Sequence, residues 1–274
     1  MGKDLILLIG GGNMGLAIAS GIAKQHKELK SRILISEKKK ERLIYIKKAG
    51  FKVFKNHIDV LTKYKHNIKV IILAVKPSEL DSVLSETSKI IYKRAVIISI
   101  LAGTTIKKLS SRLPLHQPIC RIMPNTPAKI GEGISAITFN RYLNKKQKDF
   151  IKDIFESVGK TVEIAEKHFD LITAISGSGP AYFCYFMECL IKAAKKHGLS
   201  DTTAKKLVIQ TSFGSSALLL RDTMLNPELL RQMVTSPKGT TEAALNVFKN
   251  RGFYTIIERA VGKAKQRAKE LSKL

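Results

Sequence analysis

With 274 residues, 44% of them apolar, the chain is long enough for one large domain or two modest ones with their own cores, which excludes a disordered or fibrous protein. A balance of 48 Lys and Arg against 22 Asp and Glu gives a net charge of +26, which first directs attention to nucleic acid or an anionic surface. The lysines are spread over nearly every polar helix face (Lys38 to Lys40, then Lys145, Lys146 and Lys148, then Lys263, Lys265 and Lys269). They lack interleaved aromatics for base stacking, so they read as solvated faces and no nucleic-acid partner is expected.

In chain order, short all-apolar runs come first: Leu5 to Ile9, Ile33 to Ile35, Val70 to Val75 and Ala95 to Ile100. Runs without polar alternation are strands covered on both faces, and their spacing leaves room for crossover helices, so a parallel α/β sheet is expected. Shorter candidates at Ile119 to Met123, Ile134 to Thr138 and Thr161 to Ile164 extend it. Past residue 164 the strand signal stops, and segments 180–197, 201–223, 227–234 and 240–272 carry helical periodicity. Two domains follow, 1–164 and 165–274. The apolar pair Pro180 to Leu190 and Ala204 to Leu220 has more hydrophobic surface than a lone small bundle needs, which points to burial against another subunit.

Several chemistries are not expected. Cys120, Cys184 and Cys189 form no C-x-x-C pair and cannot all pair within one chain, so a reducing cytoplasm fits. The apolar start and Ala17-Ile18-Ala19 imitate a signal peptide, but Asp4 and a glycine cluster interrupt it, and no other run approaches a membrane span. His26, His57, His66, His116, His168 and His197 are isolated, with no H-E-x-x-H and no G-x-S-x-G, so neither a metal nor a serine nucleophile is expected.

Two stretches do carry chemistry. The first strand runs into Gly10-Gly11-Gly12-Asn13-Met14-Gly15, and a helix begins at once. In that context the pattern is a dinucleotide fingerprint of a Rossmann-type domain: Gly10 for the turn, Gly12 for close approach to the pyrophosphate, Gly15 for helix-to-strand packing. The second strand ends at Ser36-Glu37-Lys38, about 20 residues on, where an acid holds the ribose of NAD and a base the phosphate of NADP. Both are present; Ser36 and Lys38 suit a 2′-phosphate and Glu37 would repel it, so NADP is expected with some use of NAD. The second stretch is Val234 to Thr241, where Pro237 and Gly239 make a turn, Thr240 can cap the next helix, and backbone N–H groups converge where a carboxylate could dock.

Ala74-Val75-Lys76-Pro77, Ser99 to Gly103, Arg121 to Ala128, Ser176 to Tyr182 and the Thr235 to Thr241 loop resemble pyrroline-5-carboxylate reductases, in that family's order and spacing across almost the whole chain. The resemblance implies reduction of Δ1-pyrroline-5-carboxylate to L-proline by NAD(P)H, the last step of proline biosynthesis, in a homodimer or a ring of dimers. By position it implies that Gly10, Gly11, Gly12, Asn13, Met14, Gly15, Ser36, Lys38, Asn56, Ala74, Val75, Lys76, Pro77 and Ala102 line the cofactor. Glu166 matches a glutamate on the substrate side, and Ser236, Gly239, Thr240 and Thr241 match the loop that holds the substrate, which the family draws from a neighbouring subunit; Thr241 is the candidate for orienting the imine nitrogen or passing it a proton through water. Similar proteins usually carry a second glycine where this chain has Lys238; a left-handed backbone there would strain the lysine, while its charge would help attract a carboxylate.

Hydride delivery to an iminium carbon needs placement of two reactants and an anion anchor, which accords with the missing nucleophile. Two alternatives stay open: another imine or β-hydroxyacid reductase, for which Lys192, Lys195 or Lys196 would have to be catalytic, and a cofactor sensor or nucleic-acid binder that kept only the fold.

Overall fold

The computed structural model describes residues 4–272; the ends of the two expected domains, 1–3 and 273–274, lie outside the described residues. Its sheet has eight strands, β1 (Leu5–Ile9), β2 (Ile33–Ser36), β3 (Lys52–Phe54), β4 (Ile68–Leu73), β5 (Val96–Ser99), β6 (Ile119–Met123), β7 (Gly133–Phe139) and β8 (Gly159–Glu163), in the order β3-β2-β1-β4-β5-β6-β7-β8. The helices that accompany it are α1 (Asn13–Gln25), α2 (Lys40–Lys48), α3 (His57–Tyr64), α4 (Leu80–Thr87), α5 (Ile106–Ser110) and α6 (Lys145–Glu156).

The all-apolar strands have both faces covered because alternate side chains feed two separate layers. Ile6, Leu8, Ile35 and Ile72 pack under α1, α2 and α6 through Ile18, Ile22, Ile46, Ile151 and Phe155. Leu7, Ile9, Leu34 and Ile71 pack against Val60, Leu61, Val83, Leu84 and Leu109 of α3, α4 and α5. β1 lies between β2 and β4, so the chain winds outward in both directions from it, and a crevice opens past the carboxyl ends of β1 and β4.

The sheet departs from the all-parallel expectation at one point. β7 pairs antiparallel with β6, and β8 then runs parallel to β7. The link from Pro124 to Glu132 holds one 3-10 turn, Thr126–Ile130, and is too short for the crossover that a parallel pair requires.

Packing divides the chain into two compact units, Met1–Ser178 with Ala264–Leu274, and Gly179–Lys263. The first therefore runs past residue 164, where the strand signal ended. Arg121, only 3% exposed within β6, holds this extension: its Nη1 is 3.0 Å from Glu166 Oε1 and its guanidinium lies 4.7 Å from the centre of the Phe169 ring, in the short helix α7 (Phe169–Ile172). A π turn, Thr173–Gly177, completes the unit.

The second unit is helical: α8 (Gly179–Lys196), α9 (Asp201–Arg221), α10 (Pro227–Met233), α11 (Thr240–Asn250) and the start of α12 (Phe253–Leu271). The expected single helix over 240–272 is broken, because Gly252 takes φ 68° and ends α11 with a left-handed residue. Phe186, Phe248 and Phe253 cluster with ring centres 5.4 to 6.3 Å apart. Within residues 179–263 only Gly179 and Ala204 are buried, whereas Phe183, Phe213, Leu220 and Tyr254 are 64% or more exposed. No helix of the described residues is long and apolar enough to cross a membrane.

Candidate active site

The glycine loop differs from residue to residue in what it requires. Gly10 has φ 104°, and a Cβ on it would lie 2.5 Å from the carbonyl oxygen of Ala74. A Cβ on Gly15 would lie 2.3 Å from the Gly10 oxygen, so this glycine sets how closely α1 approaches β1. Gly12 is the exception: its φ of −64° is ordinary, and a Cβ there would meet nothing within 4 Å. The space beside Gly12 belongs to a cleft of about 370 Å³ past the ends of β1, β2 and β4, lined by Gly10, Gly12, Asn13, Ser36, Lys38, Ala74, Val75 and Lys76. Gly12 is also the N-cap of α1 and supplies no side-chain cap, so the first amides of that helix are open to an anion.

A second cleft of about 330 Å³ shares Ala74 and Val75 with the first and adds Met14, Pro77, Ala102, Met123 and Asn125. Asn125 is fixed by its neighbours: its Oδ1 accepts the Ile134 N–H at 3.0 Å and its Nδ2 lies 3.5 Å from Ser176 Oγ. Glu166 is 31% exposed, and its Oε1 is taken by the Ile106 N–H at 2.7 Å and by Arg121.

In the second unit the Val234 to Thr241 loop forms a tight turn. Gly239 donates to the Ser236 oxygen at 3.0 Å, and the Lys238 N–H donates to Glu242 Oε2 at 2.7 Å. Lys238 has φ 58°, the strained left-handed conformation anticipated for it. Thr240 does not cap the helix: the N-cap is Gly239, without a side-chain hydrogen bond, and Thr240 is the first helical residue. Asn56, Thr105, Asn144, Ser200 and Asn226 close α3, α5, α6, α9 and α10, whereas α2, α4 and α7 have no side-chain cap. The start of α11, like that of α1, is left open.

Of the cofactor residues read from the sequence, Gly11 and Gly15 line neither cleft, and nor does Asn56. It is exposed, and its Oδ1 is spent on the Ile58 N–H at 2.9 Å as the cap of α3. The neighbouring His57 lines the first cleft instead. Burial lowers the pKa of His57; the Glu86 carboxylate, 3.4 Å away, opposes the shift, and Lys38 reinforces it. Gly11 sits behind the cleft against α2. Arg42 and Glu79 also line the cleft and were not read from the sequence. His57, Val60 and Leu61 share the buried face of α3, which was the available signal for His57. No cluster of three or more His, Cys, Asp or Glu able to hold a metal occurs among the described residues.

Residues 166–271 match the family described as pyrroline-5-carboxylate reductase dimerisation, and residues 5–103 match that described as NADP oxidoreductase coenzyme F420-dependent. A pyrroline-5-carboxylate reductase of Haemophilus influenzae is 33% identical over 275 residues, covering 100% of both chains. The solved pyrroline-5-carboxylate reductase of Coxiella burnetii has a TM-score of 0.90 at 33% identity, over 99% of this chain and 100% of that one. The Plasmodium falciparum pyrroline carboxylate reductase, solved with NADP bound, has a TM-score of 0.86 at 31% identity, over 99% of both chains. Likeness of this extent over whole chains, in sequence and in fold alike, places the chain in the pyrroline-5-carboxylate reductase family.

Proposed function

We propose that the chain reduces Δ1-pyrroline-5-carboxylate to L-proline with NADPH, NADH serving as a second donor. The observation that carries this reading is the pair of open helix starts, α1 at the cofactor cleft and α11 at the end of the Val234 to Thr241 loop, both begun by glycine and neither capped by a side chain. Amides presented this way hold an anion, a pyrophosphate at α1 and a carboxylate at α11. The unfilled space beside Gly12 fits a cofactor backbone running close to the loop.

When bound, NADPH supplies the hydride. The chain's own residues supply placement. Gly10, Gly11, Gly12, Asn13, Met14 and Gly15 form the pyrophosphate loop, Ser36 and Lys38 take the adenosine 2′-phosphate, and Ala74, Val75, Lys76, Pro77 and Ala102 line the path to the nicotinamide. Ser236, Gly239, Thr240 and Thr241 anchor the substrate carboxylate and imine. Thr241 has a half-buried side chain whose hydroxyl makes no hydrogen bond among the described residues, so it is available to orient the imine nitrogen or to pass it a proton through water. Glu166 keeps Oε2 for the substrate side while Oε1 holds Arg121 and the start of α5.

The working unit is a homodimer, or a ring of such dimers, with the second unit as the joining surface. Its exposed aromatics and its near absence of buried side chains support this. The three free cysteines support a cytoplasmic setting, and the dispersal of the lysines supports solvated faces with no nucleic-acid track. Steady-state kinetics on Thr241→Ala tests the assignment. We expect kcat with the imine acid to fall by about 100-fold, at the low end for a lost proton-positioning group, with KM for NADPH nearly unchanged. A parallel loss of NADPH affinity, or full activity, would reject the role given to this loop.

A further inference from the structure

An acid at the end of the second strand of such a sheet ordinarily accepts from the ribose hydroxyls of NAD. Glu37 stands at that place and lines the cleft, yet each of its oxygens is engaged by a backbone N–H. Its Oε2 accepts the Gly11 N–H at 3.0 Å, and its Oε1 accepts the Lys39 N–H at 2.9 Å. The carbonyl of the same glycine is held from α2: Arg42 Nε and Nη2 donate to Gly11 O at 3.2 and 2.8 Å, and Nη1 lies 3.3 Å from Asn13 Oδ1. Gly11 thus has a carboxylate on its N–H and a guanidinium on its C=O, each charge matched in sign to the dipole it meets. There is no slack around it, since a Cβ on Gly11 would lie 2.3 Å from Ile46 Cδ1 and 3.3 Å from Glu37 Cβ. Gly12, which opens onto the cleft, is the next residue.

We propose that Glu37 and Arg42 are positioning residues that fix the Gly11 peptide and so pre-set the phosphate loop, governing affinity for NADPH and NADH alike instead of selecting between them. This rests on the cofactor cleft proposed above. The pyrophosphate is common to both cofactors, so loosening the loop weakens both by one factor. A ribose ligand behaves differently: neutralising it weakens NADH and strengthens NADPH, because the repulsion of the 2′-phosphate is removed along with the ribose contact.

The test uses the purified full chain carrying Glu37→Gln, Arg42→Met or Arg42→Lys, with KM and Kd measured for both cofactors. Expected for Glu37→Gln and Arg42→Met is a rise of about tenfold in each constant, the size of one lost charge-assisted hydrogen bond. The NADPH to NADH ratio should stay within about threefold, and kcat and KM for the imine acid should hold. Arg42→Lys keeps one donor and should recover part of the loss, which a merely structural defect would not show. A ratio shifted tenfold or more by Glu37→Gln, or constants left unchanged by all three variants, overturns the proposal. Should Glu37→Gln fail to fold, the Arg42 pair carries the same comparison. Gly12→Ala separates the two readings: if it weakens NADPH binding at least about fivefold while the clamp variants do nothing, only the clamp fails, and if it binds as wild type, the cleft assignment fails as well.

Discussion

Gly12→Ala should separate folding from cofactor binding. In the fold the new methyl touches nothing within 4 Å, and φ of −64° is allowed to alanine, so no strain arises. Alanine is a poorer N-cap than glycine by roughly 0.5–1 kcal/mol, and its smaller unfolded-state entropy returns about 0.4–1 kcal/mol. The two nearly cancel, leaving a melting shift of about 2 °C or less. In the cleft the same methyl stands where the cofactor backbone must approach. An overpacked contact costs about 1–3 kcal/mol, which predicts an NADPH Kd raised by roughly 5- to 150-fold. Gly10→Ala should do the reverse, since φ of 104° and a 2.5 Å approach to the Ala74 oxygen oppose the fold itself. Scanning fluorimetry and calorimetric titration with NADPH on both variants measure the contrast. A folded Gly12→Ala protein that binds NADPH within twofold of wild type would refute the placement of the pyrophosphate beside this glycine.

Two further outcomes follow from local geometry. Lys238→Gly relieves a left-handed lysine worth about 1 kcal/mol, partly offset by glycine's own entropy, so thermal melting should rise by about 1–3 °C. If the ammonium attracts the substrate carboxylate, the same variant should show a KM for the imine acid that is higher and less sensitive to salt; an unchanged KM assigns the lysine no part in binding. Burial lowers the pKa of His57 below 6.5, so the unfolded chain binds more protons in the window just beneath that value. Stability should therefore be complete above the ordinary histidine pKa and decline as pH falls through the window. Urea midpoints at about pH 7.5 and about pH 5.5 should differ less in His57→Gln than in wild type, and equal differences would contradict the assignment.

Most of the sheet was legible because its strands are buried on both faces, so apolar runs such as Leu5–Ile9 and Ile68–Leu73 announce themselves without regard to partners. β3 was not, since Lys52–Phe54 is three residues at a sheet edge, and its pairing with β2 is decided by neighbours and not by its own pattern. The reversal at β7 depends on the shortness of a loop, and the break at Gly252 on a backbone angle that helical periodicity does not encode. In the site, the glycine fingerprint specifies its own geometry, so the turn at Gly10 and the close helix approach at Gly15 were legible. Arg42 was missed because it reaches Gly11 across 31 positions of sequence from the face of a polar helix. Asn56 faces outward as the cap of α3 while the adjoining His57 faces inward, a difference of one position that the sequence pattern does not resolve.

The scarcity of buried side chains between Gly179 and Lys263 has a thermodynamic consequence. If assembly supplies the missing core, stability is set by mass action, and each tenfold dilution removes about 1.4 kcal/mol per mole of complex. A melting temperature for this protein then has meaning only beside the concentration at which it was recorded. The helices of that unit and its Val234 to Thr241 loop would be lost together as the protein is thinned out.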